Sequence, residues 1–245
     1  MLGRTAVLAS RPTLSWADDF TFGDVLSDAK LYFTAPLRWE RPDWLFFGGS
    51  ITAIAVAHDF DSRVRDHFAP AGAAGVTGSD KNGLRDAIPA ASVVVGTWLV
   101  SKVTDDSFAN TEAYTMLEAA GFSTVTAEAF KYAAGRERPN QTTDSNPWRA
   151  AGSSFPSLHT IAAFAVGTVF AESANDDYRW LRWVLGYGMA SGTTYLRLHG
   201  NQHWLSDTLA GAALGIATGR FSAHRRLERA RDWNLSVTPY PNTAA

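Results

Sequence analysis

Three short clusters of reactive residues follow one another along the chain: Lys131 with Arg138 and Pro139, then Pro156-Ser157-Leu158-His159, then Arg197 with His203 and Asp207. Together they supply three cations, a hydroxyl, two histidines and a carboxylate, with no cysteine anywhere in the 245 residues. Such a set suits gripping a tetrahedral oxyanion and carrying out nucleophilic chemistry on it. It is a poor set for a metal, which is held by several acids, histidines or thiolates together.

Each cluster has a bland reading beside the chemical one. Lys131 and Arg138 lie seven apart, two helical turns, so one helix face near its C-terminus is expected to carry both; basic residues there also simply complement the helix dipole. If Pro156 occupies the first turn of a helix, the amides of Leu158 and His159 are left free at its N-terminus, with the Ser157 hydroxyl beside them. That arrangement takes an anion, or else is no more than a cap with a solvent-facing histidine. His203 and Asp207 are spaced i and i+4, so on a helix the carboxylate would accept from one ring nitrogen and free the other as nucleophile or base; a structural His–Asp pair has the same spacing. His199 stands four before His203, but no glutamate lies between them and no convincing third ligand follows, so no metal site is expected.

The elements that must position these groups read as helices. Apolar and aromatic residues recur in runs of twelve or more, and alternating stretches are scarce. Helices are expected after Pro42-Asp43, from Ala87 to Val103, from a cap at Asn110-Thr111 to the Arg138-Pro139 boundary, from Ser154-Phe155-Pro156 onward, from Tyr178 to Tyr195, and from Asn201 to Arg229. Residues 69–82 and 140–153 read as loops, Asn175-Asp176-Asp177 as a break, and 236–245 as a frayed tail. The expectation is an all-α, single-domain bundle of about six core helices, with residues 1–43 as an extension without a motif.

Composition sets the outer limits. A net charge of −2 without a basic stripe excludes ordinary nucleic-acid binding. Hydrophobic residues at 46% against 19% charged fit a globule or a membrane-associated bundle. The charge-free stretches Trp44–Ala57, Ala87–Ser101, Thr160–Ala171, Trp183–Leu196 and Thr208–Gly219 are at most 15 residues long. A spanning helix needs about 20, so buried helices of a soluble bundle are expected, with peripheral membrane contact left open. The first apolar stretch, broken by Arg11-Pro12, is too short for a secretory signal. Trp180, Trp183 and Trp204 read as core first and as an acyl-chain site second, and Trp148 and Arg149 fall in the loop expected to shape the pocket.

In order and spacing, Lys-x6-Arg-Pro, Pro-Ser-x-His and Arg-x5-His-x3-Asp resemble the signature of the type-2 phosphatidic acid phosphatase superfamily, which includes lipid phosphatases, bacterial acid phosphatases and vanadium haloperoxidases. Here they read KYAAGRERP from Lys131, PSLH from Pro156 and RLHGNQHWLSD from Arg197. The resemblance implies an acid phosphatase/haloperoxidase-like helical fold and no cofactor. It implies that Lys131, Arg138, Ser157, Arg197 and the Leu158 and His159 amides bind a substrate phosphate. It further implies that His203 is the nucleophile, Asp207 its orienting acid, and His159 the acid–base group. The substrate would be a phosphate ester, lipid or soluble, and the location periplasmic or otherwise extracytoplasmic. Two positions depart from the usual pattern: Leu158 replaces a common glycine and narrows the pocket, and Leu196 replaces a common serine before Arg197. A vanadate-dependent haloperoxidase and a non-catalytic anion-binding bundle are the competing readings; the sequence leaves the oligomeric state open.

Overall fold

The computed structural model describes residues 21–68, 83–173 and 178–237. Helices α1 (Phe22–Phe33), α2 (Arg41–His58), α3 (Asp61–Phe68), α4 (Gly83–Thr104), α5 (Ser107–Ala134), α6 (Leu158–Glu172), α7 (Arg179–His199) and α8 (Leu205–Val237) occur with one 3-10 turn at Ala35–Arg38, and no strand is found among the described residues. The six long helices α2 and α4–α8 are the expected bundle. The expected loop at 69–82 and most of the expected tail lie outside the described residues, as does the break at Asn175-Asp176-Asp177.

The bundle is assembled around α6. Its flank with α5 and α4 is a core of Val94, Met116, Ala119, Ala165, Val166 and Val169. Its contact with α8 is a seam of small residues: a Cβ added at Gly215 would stand 2.4 Å from the Ile161 carbonyl oxygen, and one at Gly219 2.6 Å from that of Ala165. Gly167 of α6 and Gly186 of α7 meet in the same way, each carbonyl 2.5 Å from where the other's Cβ would lie. Backbones this close exclude any side chain, which packs α6 tightly against both neighbours.

The N-terminal extension contributes structure that motif reading passes over. Thr21 and Asp24 close a capping box at the start of α1. Buried Asp28 then accepts from Arg225 Nε at 2.9 Å and also pairs with Arg229, while the Tyr32 hydroxyl reaches Thr126 and Thr218 at 3.0 and 2.8 Å. These contacts fasten α1 to α5 and α8.

Among the boundaries that differ from expectation, three have a clear local reason. Asp106, not Asn110, caps α5, its carboxylate accepting from the Phe108 and Ala109 amides at 2.8 and 3.2 Å. The same helix stops at Ala134 because Gly135 turns left-handed at φ 55° and returns its N–H to the Lys131 carbonyl. Arg138 therefore lies beyond the helix and shares no helical face with Lys131. At the other end of the motifs, Asn201 adopts φ 54° and α8 begins only at Leu205, so His203 lies in the preceding turn and meets Asp207 at 3.7 Å rather than across a helical face.

The expectation that the apolar helices are buried fails on the outer face. Leu45, Phe46, Phe47, Ile51 and Val56 of α2 are exposed, as are Ile88, Val95, Leu99, Val100 and Val103 of α4 and Val184 and Leu185 of α7. Only 17% of the apolar stretch of α4 is buried, and at 22 residues that helix is long and apolar enough to cross a membrane. Counting uninterrupted charge-free residues stopped short at Lys102, whose long stem lets an apolar helix continue to its polar end. Trp180 and Trp183, read first as core, also face outward at 65% and 37% exposure, whereas Trp204 is fully buried.

Candidate active site

Every candidate residue sits at or just beyond the same end of the bundle. Lys131 closes α5, Arg197 lies in the last turn of α7, Ser157 and His159 open α6, and Asp207 opens α8. Antiparallel neighbours bring C-terminal cations and N-terminal amides to one pole, and the remaining residues come from the connections between them.

The second cluster differs in detail from expectation. Phe155-Pro156 is a cis peptide and Pro156 precedes the helix; Ser157 is the N-cap residue, and Leu158 and His159 occupy the first helical positions. Their amides fall among the orphan donors of a helix start, so the anion-binding geometry survives the shift. The buried Ser157 donates its backbone N–H to the Asp207 carbonyl at 3.1 Å, and its hydroxyl takes a hydrogen bond from Thr160 at 3.0 Å. One ring nitrogen of His159, Nε2, lies 2.8 Å from the carbonyl oxygen of Gly83, the first residue of α4. A carbonyl only accepts, so Nε2 carries the proton.

His203 is held the same way. Its Nδ1 lies 2.8 Å from the Ser154 carbonyl oxygen, whereas the nearest Asp207 oxygen is 3.7 Å away. Nδ1 must therefore be N–H, and Nε2 carries the lone pair. A backbone carbonyl fixes the tautomer that the sequence assigned to Asp207. Burial is the main cause that lowers the His203 pKa to about 4, with the neighbouring Arg197 and Arg138 charges adding to it and Asp207 opposing them. The ring is thus neutral and its free nitrogen available over the ordinary pH range.

Asp207 is engaged elsewhere. Its Oδ2 accepts from Ser154 Oγ at 2.5 Å and from the Trp204 amide at 2.9 Å, and its Oδ1 from Arg136 at 2.6 Å. The Trp204 bond makes Asp207 a cap for α8, a reason for its position that motif reading does not supply. Of the cations, Arg197 is fully buried and donates to Asp86 Oδ2 at 2.7 Å, Arg138 donates to Gln202 Oε1 at 2.9 Å, and Lys131 donates to the largely exposed Glu128 at 2.8 Å. Arg138, Arg197, His203 and Asp207 are thereby gathered, with Ser157 joined to Asp207 through its backbone. Lys131 and His159 enter through separate contacts.

Sequence reasoning missed Arg136, Asp61, Ser154 and Asp86. Arg136 sits two residues before Arg138, inside the first motif run but off its fixed positions. Asp86 reads as an ordinary first-turn acid, and Asp61 lies where no motif occurs. His199 stacks on Tyr195 with ring centroids 5.7 Å apart and lies near Phe68. Among the described residues no group of three or more His, Cys, Asp or Glu is placed to hold a metal.

Comparison with known proteins bears on the same end of the chain. Residues 112–231 match the model of the PAP2 superfamily, a span that takes in all three clusters. The chain is also 43% identical over 91 residues to the lipid A 1-phosphatase of Porphyromonas gingivalis. That match covers 37% of this chain and 18% of the relative's length. No solved structure matches significantly. Residues 112–231 thus carry a PAP2 superfamily domain.

Proposed function

We propose that this protein is a phosphatase that hydrolyses phosphate monoesters or diphosphates, lipid-borne ones foremost, through a phosphohistidine on His203. The observation that carries the reading is the buried His203 ring, its Nδ1 proton committed to the Ser154 carbonyl and its Nε2 lone pair free beside Arg138 and Arg197. In the reaction the Nε2 lone pair forms a bond to phosphorus while the ester P–O bond breaks, and the leaving oxygen takes a proton from His159. Water then attacks phosphorus, His159 accepts its proton, the N–P bond breaks and phosphate departs.

Arg138, Arg197, Lys131, the Ser157 hydroxyl and the Leu158 and His159 amides would hold the equatorial oxygens, where charge accumulates; one preorganised donor of this kind contributes on the order of a hundredfold in rate. These cations supply the charge stabilisation, so the reaction calls for no metal. Two groups must exchange partners as substrate arrives: Arg197 now faces Asp86, and His159 Nε2–H donates a hydrogen bond to the Gly83 carbonyl.

The outer face supports a lipid substrate. The apolar side chains on α2, α4 and α7 would place the bundle in a bilayer, with the candidate site at one pole, level with a lipid headgroup. The phosphatase relative has lipid A in its name, and an extracytoplasmic site fits that likeness. The test is phosphate release by purified protein in EDTA from p-nitrophenyl phosphate, phosphatidic acid and a lipid A fraction. Release that survives EDTA and is lost in His203→Ala is expected; unchanged turnover in that variant refutes His203 as nucleophile. Halide oxidation with vanadate and peroxide, in place of release, would refute the phosphatase reading.

A further inference from the structure

One guanidinium ties two buried carboxylates together behind the candidate nucleophile. Arg136, with no exposed surface, donates from one nitrogen to Asp207 Oδ1 at 2.6 Å and Ser206 Oγ at 2.8 Å. Its other terminal nitrogen donates to Asp61 Oδ2 and the Ser145 carbonyl, both at 2.7 Å. The rings of Trp148 and Trp204 lie 4.5 and 5.3 Å from the guanidinium carbon. Asp61 is equally buried, and accepts from the Ser206 amide at 2.8 Å and the Ser206 hydroxyl at 2.6 Å. His58 faces the same carboxylate, Nδ1 to Asp61 Oδ2 at 2.8 Å, while its Nε2 faces Asn146 Oδ1 at 2.7 Å.

We propose that Asp61 is a positioning residue that acts through Arg136 and Asp207, keeping the charge behind His203 negative during phosphoryl transfer. Alone, Arg136 and Asp207 would make a neutral pair. With Asp61 on the other arm of the fork the three groups carry a net −1, which His58 offsets only when its ring is protonated, in a buried setting where charge is weakly screened. That matters at one moment. When Nε2 bonds to phosphorus and Nδ1 keeps its proton on the Ser154 carbonyl, the ring becomes cationic, and Asp207 is the carboxylate beside it, 3.7 Å from Nδ1. Arg136 cannot drain Asp207 of its charge, because Asp61 holds half of the guanidinium. The bidentate geometry is what a single ammonium cannot reproduce. Asp61 stands at the first position of α3, upstream of the matched residues 112–231, so the N-terminal third, which carries no motif, reaches into the site.

This inference rests on the phosphatase reading, and its test separates the two. Asp61→Asn keeps the shape and removes the charge. The measurements are kcat and KM with p-nitrophenyl phosphate for Asp61→Asn, Asp207→Asn and the double variant, with the unfolding midpoint of each. Asp61→Asn is expected to lose on the order of tenfold in kcat with KM held within about twofold, the pattern of an interaction made in the transition state. Added to Asp207→Asn, it is expected to change kcat by less than about twofold, because groups that act as one unit are non-additive. Losses that multiply, or a loss confined to KM, overturn the proposal. If the wild-type protein releases no phosphate, the phosphatase reading fails, and the His203 ring then reports alone. In ¹⁵N NMR titrations its midpoint should fall in Asp61→Asn as a neighbouring negative charge is removed, and an unmoved midpoint overturns the proposal.

Discussion

Gly215→Ala and Gly192→Ala are the same chemical change in two helix interiors, and the structure assigns them opposite signs. A methyl at Gly192 of α7 meets nothing within 4 Å. There only helix propensity and the lost freedom of the unfolded chain count, and both favour alanine, by about 1 kcal/mol together. A methyl at Gly215 of α8 would stand 2.4 Å from the Ile161 carbonyl oxygen, 2.7 Å from Phe164 Cβ and 3.0 Å from the Ala165 amide nitrogen. Two of these three are backbone atoms of α6, which no rotamer change moves aside, so the helices must separate by most of an ångström. Overpacking costs about 1–3 kcal/mol, and fixed backbone atoms at 2.4 and 3.0 Å put this site in the upper part of that range, about 2–3 kcal/mol, since separation also loosens contacts along the rest of the seam. Subtracting the propensity gain leaves a net loss of about 1–2 kcal/mol at Gly215. The two variants should then differ by about 2–3 kcal/mol, which for a chain of this size is a gap of about 5–10 °C in unfolding midpoint. Thermal unfolding of both variants, followed by circular dichroism in one detergent, measures it. If Gly215→Ala proves as stable as Gly192→Ala, the close approach of α6 and α8 is wrong.

Arg136→Ala leaves Asp61 and Asp207 buried without their shared cation and should cost about 3–5 kcal/mol, read as a lower denaturant midpoint; Arg136→Lys should recover little of it. Asp86→Asn removes the carboxylate beside buried Arg197, so the ligand-free protein should unfold at a lower temperature while inorganic phosphate raises its midpoint by more than it raises the wild type's; equal phosphate shifts would refute competition for Arg197. Burial lowers the His203 pKa from its usual 6.5 to about 4, so the unfolded chain binds a proton that the folded one refuses between those values. Stability from this group should be full above pH 6.5, fall as pH drops through that window, and level off below about 4. In His203→Gln that part of the acid limb should be absent.

Lys131, Arg138, Ser157, His159, Arg197, His203 and Asp207 stood out in the sequence because they recur at the fixed spacing of a motif, and the proposed phosphoryl chemistry would use those residue types. The six long helices were legible because apolar runs of that length bounded by caps admit little else. Tertiary structure alone decided which atom each group offers. His203 takes its tautomer from the Ser154 carbonyl because the chain turns at Asn201 and delays α8; sequence spacing assumed a continuous helix. Arg138 left the helix of Lys131 at the left-handed Gly135. The outward face of α2 and α4 was hidden because hydropathy counts apolar residues without saying which neighbour covers them. Asp61 and Arg136, 75 residues apart, became one unit only through folding, since pairing buried charges is a property of the space between helices and leaves no spacing along the chain.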